Sequence, residues 1–327
     1  MLQRYTKNID FDLYRNAAEQ VGLPFVPVLG EKEPFGYFVL GKKRLYLQRN
    51  KLGVNNNVSA AIARNKNRTY AILRRFELPC PRSVVLTSDS TVKRVAADLK
   101  ALRKPFVVKP MRGSLGKGVS VKIDGTDELA EAVEFARRTH KTTLIEEFIA
   151  GTNYRINVFQ EQVLDVIERI PAYVVGDGKA TIRELIGAKN RNRETLGLKP
   201  IRIDHELRRI VRARGLTLRS VPARNKRVEL RLNSNMSAGG ESHRVDLRRE
   251  VHPDNLKMFV EAARELGLTL GGIDFITPDI SQSWRSIPCA INEINRAPSL
   301  DIHYFADFAM NNVVGEKILG KLQRAIR

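Results

Sequence analysis

Lys109 ends an apolar, strand-like run, Phe106-Val107-Val108-Lys109-Pro110, and the glycine-rich stretch Gly113-Ser114-Leu115-Gly116-Lys117-Gly118 follows it. Glycines let a backbone close on a phosphate and aim several N–H groups at it, and a lysine at the end of the preceding strand adds a full positive charge to the same oxygens. The Walker A pattern ending in Gly-Lys-Ser/Thr is absent, and a strand rather than a helix follows the glycines. Alone, the stretch also reads as an ordinary turn. About 30 residues on, Leu144-Ile145-Glu146-Glu147-Phe148-Ile149-Ala150-Gly151 is an apolar strand ending in two acids, an aromatic and an aliphatic side chain. That composition suits either a buried strand end or a purine hinge, in which the backbone pairs with the adenine edge and an acid accepts from its amino group. Near the C-terminus, Gly271-Gly272-Ile273-Asp274-Phe275 carries one acid, and Ile291-Asn292-Glu293-Ile294-Asn295 places Glu293 and Asn295 two residues apart, on the same side of a strand. Asp274, Glu293 and Asn295 could form a ring of hard oxygen ligands for Mg²⁺, which takes one or two carboxylates plus substrate phosphates. Any one of these acids also reads as a salt-bridged surface carboxylate.

The elements that must hold these residues follow from periodicity and punctuation. A helix over 10–22 stops at Gly22. Segments 35–40 and 44–48 form a hairpin joined at Gly41. Residues 57–76 are helical up to Leu78-Pro79-Cys80-Pro81. Val84–Leu86 is a short strand, and Ser90 caps a helix to about 102. The Lys109 strand ends at Pro110. Strand 119–123, a helix from Thr126 to about 139 and strand Thr143–Phe148 follow. Strands 154–160 and 162–170, a turn at Gly176-Asp177-Gly178, a cap at Thr181 and strand 227–232 come next. A helix over 254–266, strands 271–276 and 288–294 and an amphipathic helix over 305–325 complete the chain. This mixture predicts α+β lobes packed around a cleft.

Composition narrows the class. The 327 residues are 43% hydrophobic and 28% charged, which predicts one or two folded domains rather than disorder. No apolar run reaches the roughly 18 residues needed to span a bilayer, and Met1–Asn8 lacks the apolar core of a secretory signal, so the expected location is the cytoplasm. Cys80 and Cys289 cannot form a disulfide framework or a four-cysteine zinc site and read as reduced, packed thiols. Lys plus Arg number 56 against 36 acids, a net charge of +20. Such a field attracts anions without choosing among them. Between Lys189 and Arg231 lie 14 basic and four acidic residues, either a solvated basic face or a lid that receives an anionic substrate. RNA-binding modules show exposed aromatics on a sheet, and at 7% aromatic content none stands out. Of the histidines, His205, His243, His252 and His303 read as structural; His243, just after Gly239-Gly240, is the candidate if one acts as a base.

Lys109 with its glycine loop, Glu146 to Ile149, and Asp274 with Glu293-Ile294-Asn295 occur in one order, and that order resembles the ATP-grasp carboxylate–amine ligases over roughly 60–327. Val174–Ile186, Val221–Ala223, Val228–Arg231, Asn235–Gly240 and Val251–Pro253 sharpen the resemblance toward the ATP-grasp module of cyanophycin synthetase, here stand-alone, without the Mur-ligase-like half. The resemblance implies an α+β ATP-grasp fold in which two lobes clamp ATP: a small N-terminal segment (1–62), a nucleotide-binding lobe (63–151), and a C-terminal lobe (152–327) with the metal site and a basic insertion over about 176–240. It implies that Lys66 contacts the nucleotide and that Lys109 holds the α- and β-phosphates. Ser114, Gly116 and Gly118 would form a flap over the β- and γ-phosphates. Glu146, Glu147, Phe148 and Ile149 would frame the adenine, and Asn153 would lie at the ribose. Asp274, Glu293 and Asn295 would bind Mg²⁺, or Mn²⁺ in its place. Relatives often carry an arginine just before the metal-strand aspartate, where Gly272 stands here. Arg231, with Asn235, is then the candidate beside the reacting phosphoryl group, and Arg155 the second.

The implied reaction joins a carboxylate to an amine through an acyl phosphate, on an amino acid or small acidic peptide, with neither membrane nor nucleic acid as partner and a homodimer allowed. A ligase acting on a carrier-protein or polymer tail is the alternative within enzymes. A non-enzymatic protein that binds polyanions or RNA is the alternative outside them.

Overall fold

The computed structural model of the chain describes residues 6–28, 32–112 and 117–325. At its centre is an antiparallel five-stranded sheet in the spatial order Glu241–Val245, Gln162–Ile170, Thr152–Phe159, Leu270–Thr277, Ala290–Asn295. Alternation along the strands separates two chemistries. Tyr154, Ile156, Val166, Ile273, Phe275 and Ile294 point to one face and are buried against Met258, Phe259, Ala262 and Ala263 of helix Pro253–Glu265. The opposite positions, Arg155, Arg169, Asp274, Glu293 and Asn295, share the other face through the register Asp274–Arg155, Asp274–Glu293 and Arg169–Asn153. Gly272, beside Asp274, has Pro298 so close that a Cβ there would lie 2.5 Å from the proline Cβ. A side chain at 272 would have to displace Pro298.

A second antiparallel sheet runs Ser83–Leu86, Thr143–Glu147, Phe106–Pro110, Ser120–Ile123. Phe106, Val108 and Ile145 pack under Leu129, Ala132, Val133 and Ala136 of helix Thr126–Arg137. The period of two turns Val107, Lys109 and Glu146 the other way, toward the first sheet. The cleft is the space between these sheets. Helix Lys66–Arg75 closes its floor, with Tyr70 and Leu73 buried in the core of the central sheet.

The N-terminal helix Ile9–Val21 packs on Val313–Arg324 and shares a core with Phe159, Leu164 and Leu270. Beside it a four-stranded sheet runs Phe25–Val28, Phe35–Leu40, Lys43–Gln48, Lys51–Leu52. The basic segment folds on its own small core. Tyr173–Val175 pairs with Arg227–Glu229, and helices Ile182–Thr195 and His205–Ala213 cover the ribbon with Ile182, Ile186, Leu207 and Val211. Thr181 caps the first of these helices reciprocally with Glu184.

Three expected helices change. The one over 57–76 splits into Asn57–Ala63 and Lys66–Arg75, because Asn65 starts a new helix by accepting from the Arg68 N–H. The helix from Ser90 shrinks to Ala96–Lys100, since the Ser90 hydroxyl bonds Thr87 at 2.8 Å instead of capping. After a further short helix, Asp301–Tyr304, the helix over 305–325 becomes a 3₁₀ turn at Ala306–Phe308 and the helix Val313–Arg324. Asp307 breaks it by accepting from the Arg244 N–H and pairing with His243. No helix among the described residues is long and apolar enough to cross a membrane.

Candidate active site

The cleft between the two sheets encloses about 1020 Å³. Lys66, Lys109, Glu146, Glu147, Phe148, Ile149, Asn153, Arg155, Arg231, Asn235, Asp274, Glu293 and Asn295 all line it. Ser114 and Gly116 lie outside the described residues. Gly118 sits at φ 72° with a Cβ position 2.9 Å from the Thr139 hydroxyl. It packs against the helix, while its neighbours Lys117 and Val119 face the cleft.

Lys109 is the most committed cation. Its Nζ donates to Glu146 Oε2 at 2.8 Å, to the Tyr70 hydroxyl at 3.0 Å and to Asn292 Oδ1 at 3.0 Å. All three ammonium protons are thus engaged. Tyr70 in turn donates to the Asn292 carbonyl at 2.7 Å. Burial, and then the Glu146 charge, push the Tyr70 phenol well above its ordinary value, so it stays a donor. Glu146, expected at the adenine edge, lines the cleft and carries this lysine on its Oε2.

At the strand end, the Glu147 N–H donates to the Arg82 carbonyl and the Phe148 N–H to the Pro105 carbonyl. Glu147 Oε1 accepts from the Arg103 N–H at 2.9 Å. Lys122 stands over the Phe148 ring, 5.4 Å from its centroid.

Across the cleft, Asp274 is held by two guanidiniums. Arg155 donates from Nε at 2.7 Å and from Nη2 at 3.1 Å, and Arg169 donates at 3.4 Å. Asn295 adds an amide donor at 3.2 Å. Burial alone would raise the Asp274 carboxyl, but Arg155, then Arg169, hold it below the usual carboxylate value. Glu293 reaches Lys66 at 3.6 Å. Asp274, Glu293 and Asn295 are hard oxygen donors, the right class for a small divalent cation. Among the described residues no group of three or more His, Cys, Asp or Glu comes close enough to hold a metal alone. With Asp274 engaged by both arginines, the donors that fit such an ion here are Glu293 and Asn295, the remaining positions falling to phosphate and water oxygens.

Arg231 is buried, but Asp204 and Glu206 clamp its guanidinium at 2.7 and 2.9 Å. Asn235 Oδ1 accepts from Arg169 at 3.0 Å. His243 does not line the cleft; it pairs with Asp307 at 2.6 Å. Within the basic segment only Arg227, Glu229 and Arg231 line the cleft, so the stretch 208–219 is not its wall.

Sequence reading missed Arg169, Tyr70 and Asn292. A β-bulge between Val163 and Asp165 shifts the register by one residue, which sets Ile167 opposite Arg155 and Arg169 opposite Asn153; counting back from the turn at Gln160-Glu161 without that bulge puts the two arginines on opposite faces. Tyr70 lies within a helix, and nothing local marks its hydroxyl.

The model of the D-ala D-ala ligase C-terminus matches residues 72–182. Cyanophycin synthetase of Trichormus variabilis is 30% identical over 292 residues, covering 88% of this chain and 32% of that protein. The glutathione biosynthesis bifunctional protein GshAB of Enterococcus faecalis is 32% identical over 298 residues, covering 88% of this chain and 39% of the relative. The chain thus spans between about a third and two fifths of the length of these relatives. Among solved structures, the bifunctional glutathione synthetase of Pasteurella multocida superposes with a TM-score of 0.72 at 25% identity, over 97% of this chain and 43% of that one. D-alanine–D-alanine ligase from Bacillus anthracis superposes with a TM-score of 0.52 at 18% identity, over 83% of this chain and 71% of that one.

Proposed function

We propose that the chain, which shares its fold with the bifunctional glutathione synthetase and D-alanine–D-alanine ligase, is an ATP-grasp enzyme: an ATP- and Mg²⁺-dependent carboxylate–amine ligase working through an acyl phosphate, on an amino acid or small acidic peptide. One observation carries the reading. A single cleft gathers a buried lysine, a strand-end hinge and an acid–amide pair from two different sheets, in a chain related to cyanophycin synthetase and to glutathione biosynthesis proteins.

In this reading the adenine lies against the strand end. The Glu147 and Phe148 N–H groups are spent on carbonyls, so the hinge contact falls to the Ile149 N–H. Phe148 and Ile149 give the base an apolar wall, and Asn153 stands where the ribose would lie. Lys109 takes phosphate oxygen in exchange for one of its three present acceptors, and Lys66 adds a second charge. Glu293 and Asn295 would hold Mg²⁺, which would supply Lewis-acid neutralisation of the triphosphate.

The substrate carboxylate attacks the γ-phosphorus, the bond to the β-bridging oxygen breaks, and ADP leaves. The amine then attacks the acyl carbon, phosphate departs and the amine proton is lost. Both steps concentrate negative charge on oxygens. Arg155 and Arg169, fixed by Asp274, present guanidinium N–H groups that need little reorganisation as that charge appears. A clamp of two lobes also keeps water from the acyl phosphate.

The test is a coupled assay of ADP release over pairs of amino acids. Release that requires a carboxylate, an amine and Mg²⁺ together supports the ligase; release with no amine dependence, or none with any pair, counts against it.

A further inference from the structure

The N-terminal sheet turns one face to its helix and the other to solvent. Phe38 and Leu47 are buried beneath it, and the alternate positions carry Val26, Val28, Phe35, Tyr37, Arg44, Tyr46 and Lys51. The register sets Val26 opposite Tyr37 opposite Tyr46, and Val28 opposite Phe35 opposite Gln48 opposite Lys51. Phe35 and Tyr46 are parallel to within 2° at 5.8 Å, and Tyr37 meets Tyr46 at 5.8 Å. Arg44 lies over the Tyr37 ring at 4.9 Å. Tyr46 is 49% exposed, and Val26 and Val28 are 39% and 38% exposed. From Lys32 to Lys51 six Lys or Arg stand against one acid, and that acid, Glu33, is already paired with Arg49. Aromatics do therefore line up on a sheet, contrary to the sequence expectation. The 7% aromatic content hid them because three of the rings converge only when the hairpin closes.

We propose that this outer sheet face binds single-stranded nucleic acid. The exposed Tyr46 ring, flanked by the half-buried Phe35 and Tyr37 with Arg44 and Lys51 on the same face, offers the two things such strands need, flat surfaces for base stacking and cations for the backbone phosphates. An acidic peptide would use the charge and leave the rings idle; a membrane would use no stacking geometry. Of this sheet only Asn50, in the turn before Lys51, lines the cleft. The platform is therefore separate from the ligase site and goes beyond the proposed reaction.

The experiment is fluorescence anisotropy with a labelled oligouridylate of 20 nucleotides at two salt concentrations, using the full chain. Wild type should bind, more weakly at high salt. Tyr37→Ala/Tyr46→Ala should weaken binding by about 10-fold or more at each salt, with the salt slope unchanged. Tyr46→Phe should retain affinity, and Arg44→Glu/Lys51→Glu should flatten the slope by about one unit per lost phosphate contact. ADP release should be the same in all these variants, which also shows that they fold. The proposal is overturned if wild type does not bind, if the double tyrosine variant binds as tightly as wild type, or if polyglutamate or phosphatidylserine vesicles displace the RNA as well as unlabelled RNA does.

Discussion

Lys109 Nζ lies 2.8 Å from Glu146 Oε2, with the two side chains only 6% and 2% exposed. They come from neighbouring strands of one sheet and sit on the face that looks across the cleft. Burying one charge without the other would cost several kcal/mol, so each residue offsets the charge of its partner. In the proposed reaction a phosphate oxygen would displace one of the three acceptors that now hold the Lys109 ammonium.

Lys109→Met should therefore damage both binding and folding. Leaving Glu146 buried without its partner should cost about 3–5 kcal/mol of stability, alongside a raised KM for ATP and reduced turnover. The double variant Lys109→Met/Glu146→Gln should recover stability but not activity. Thermal melts and ADP-release kinetics on the same preparations separate the two effects.

Glu293→Gln should move the Mg²⁺ requirement. With Asp274 taken by arginines, Glu293 is the one cleft carboxylate in the proposed metal pair, and its loss should raise the half-saturating Mg²⁺ by about 10-fold or more. A Mg²⁺ titration of ADP release at saturating ATP reads this directly; an unchanged curve removes Glu293 from the metal.

Asp274 gives the chain an acid-sensitive contribution. Its folded-state carboxyl is depressed by Arg155 and Arg169 against the effect of burial. The stability it adds is present above the ordinary carboxylate value of about 4 and is lost as pH falls through the depressed one. Urea midpoints of wild type and Asp274→Asn should converge as pH is lowered from 6 to 3.

Asp10 acts with the opposite sign. It accepts from the Ser299 hydroxyl and the Leu300 and Asp301 N–H groups. Burial, then the charge of Asp301, push it up to about 7. Between about 4 and 7 the unfolded chain gives up this proton while the folded chain keeps it, so stability falls as pH rises through that window and levels off above it. Asp10→Asn should lack that fall. Denaturant midpoints from pH 4.5 to 8 should shift progressively in favour of the variant.

Reversing Arg208, Arg209 and Arg212 to glutamate should leave ADP release within about twofold of wild type, as surface changes usually do, because helix His205–Ala213 lies outside the cleft wall. Arg227→Glu, at the wall, should raise the KM for an acidic substrate. Equal effects from both changes would return the whole basic segment to the substrate path.

What the sequence revealed was set by local rules. That Lys109, Asp274, Glu293 and Asn295 line one cleft was legible from the glycine loop after Lys109, from strand alternation and from the order of motifs that carries the family resemblance, and a cleft between α+β lobes followed from the mixture of strands and helices. What escaped depends on partners far along the chain. Arg169 earns its place through Asp274, 105 residues away, and Tyr70 through Asn292, 222 residues away. The Glu146 contact with Lys109 likewise depends on the pairing of two strands more than thirty residues apart. The broken C-terminal helix has the same origin, since Asp307 leaves helical geometry to reach His243 and the Arg244 N–H.

Titration calorimetry with a non-hydrolysable ATP analogue and Mg²⁺ reaches the central claim most directly. One nucleotide per chain, with the heat lost in Lys109→Met and weakened in Glu293→Gln, is the predicted result. No heat with the wild-type protein, or equal binding by both variants, would contradict a nucleotide held between these two sheets.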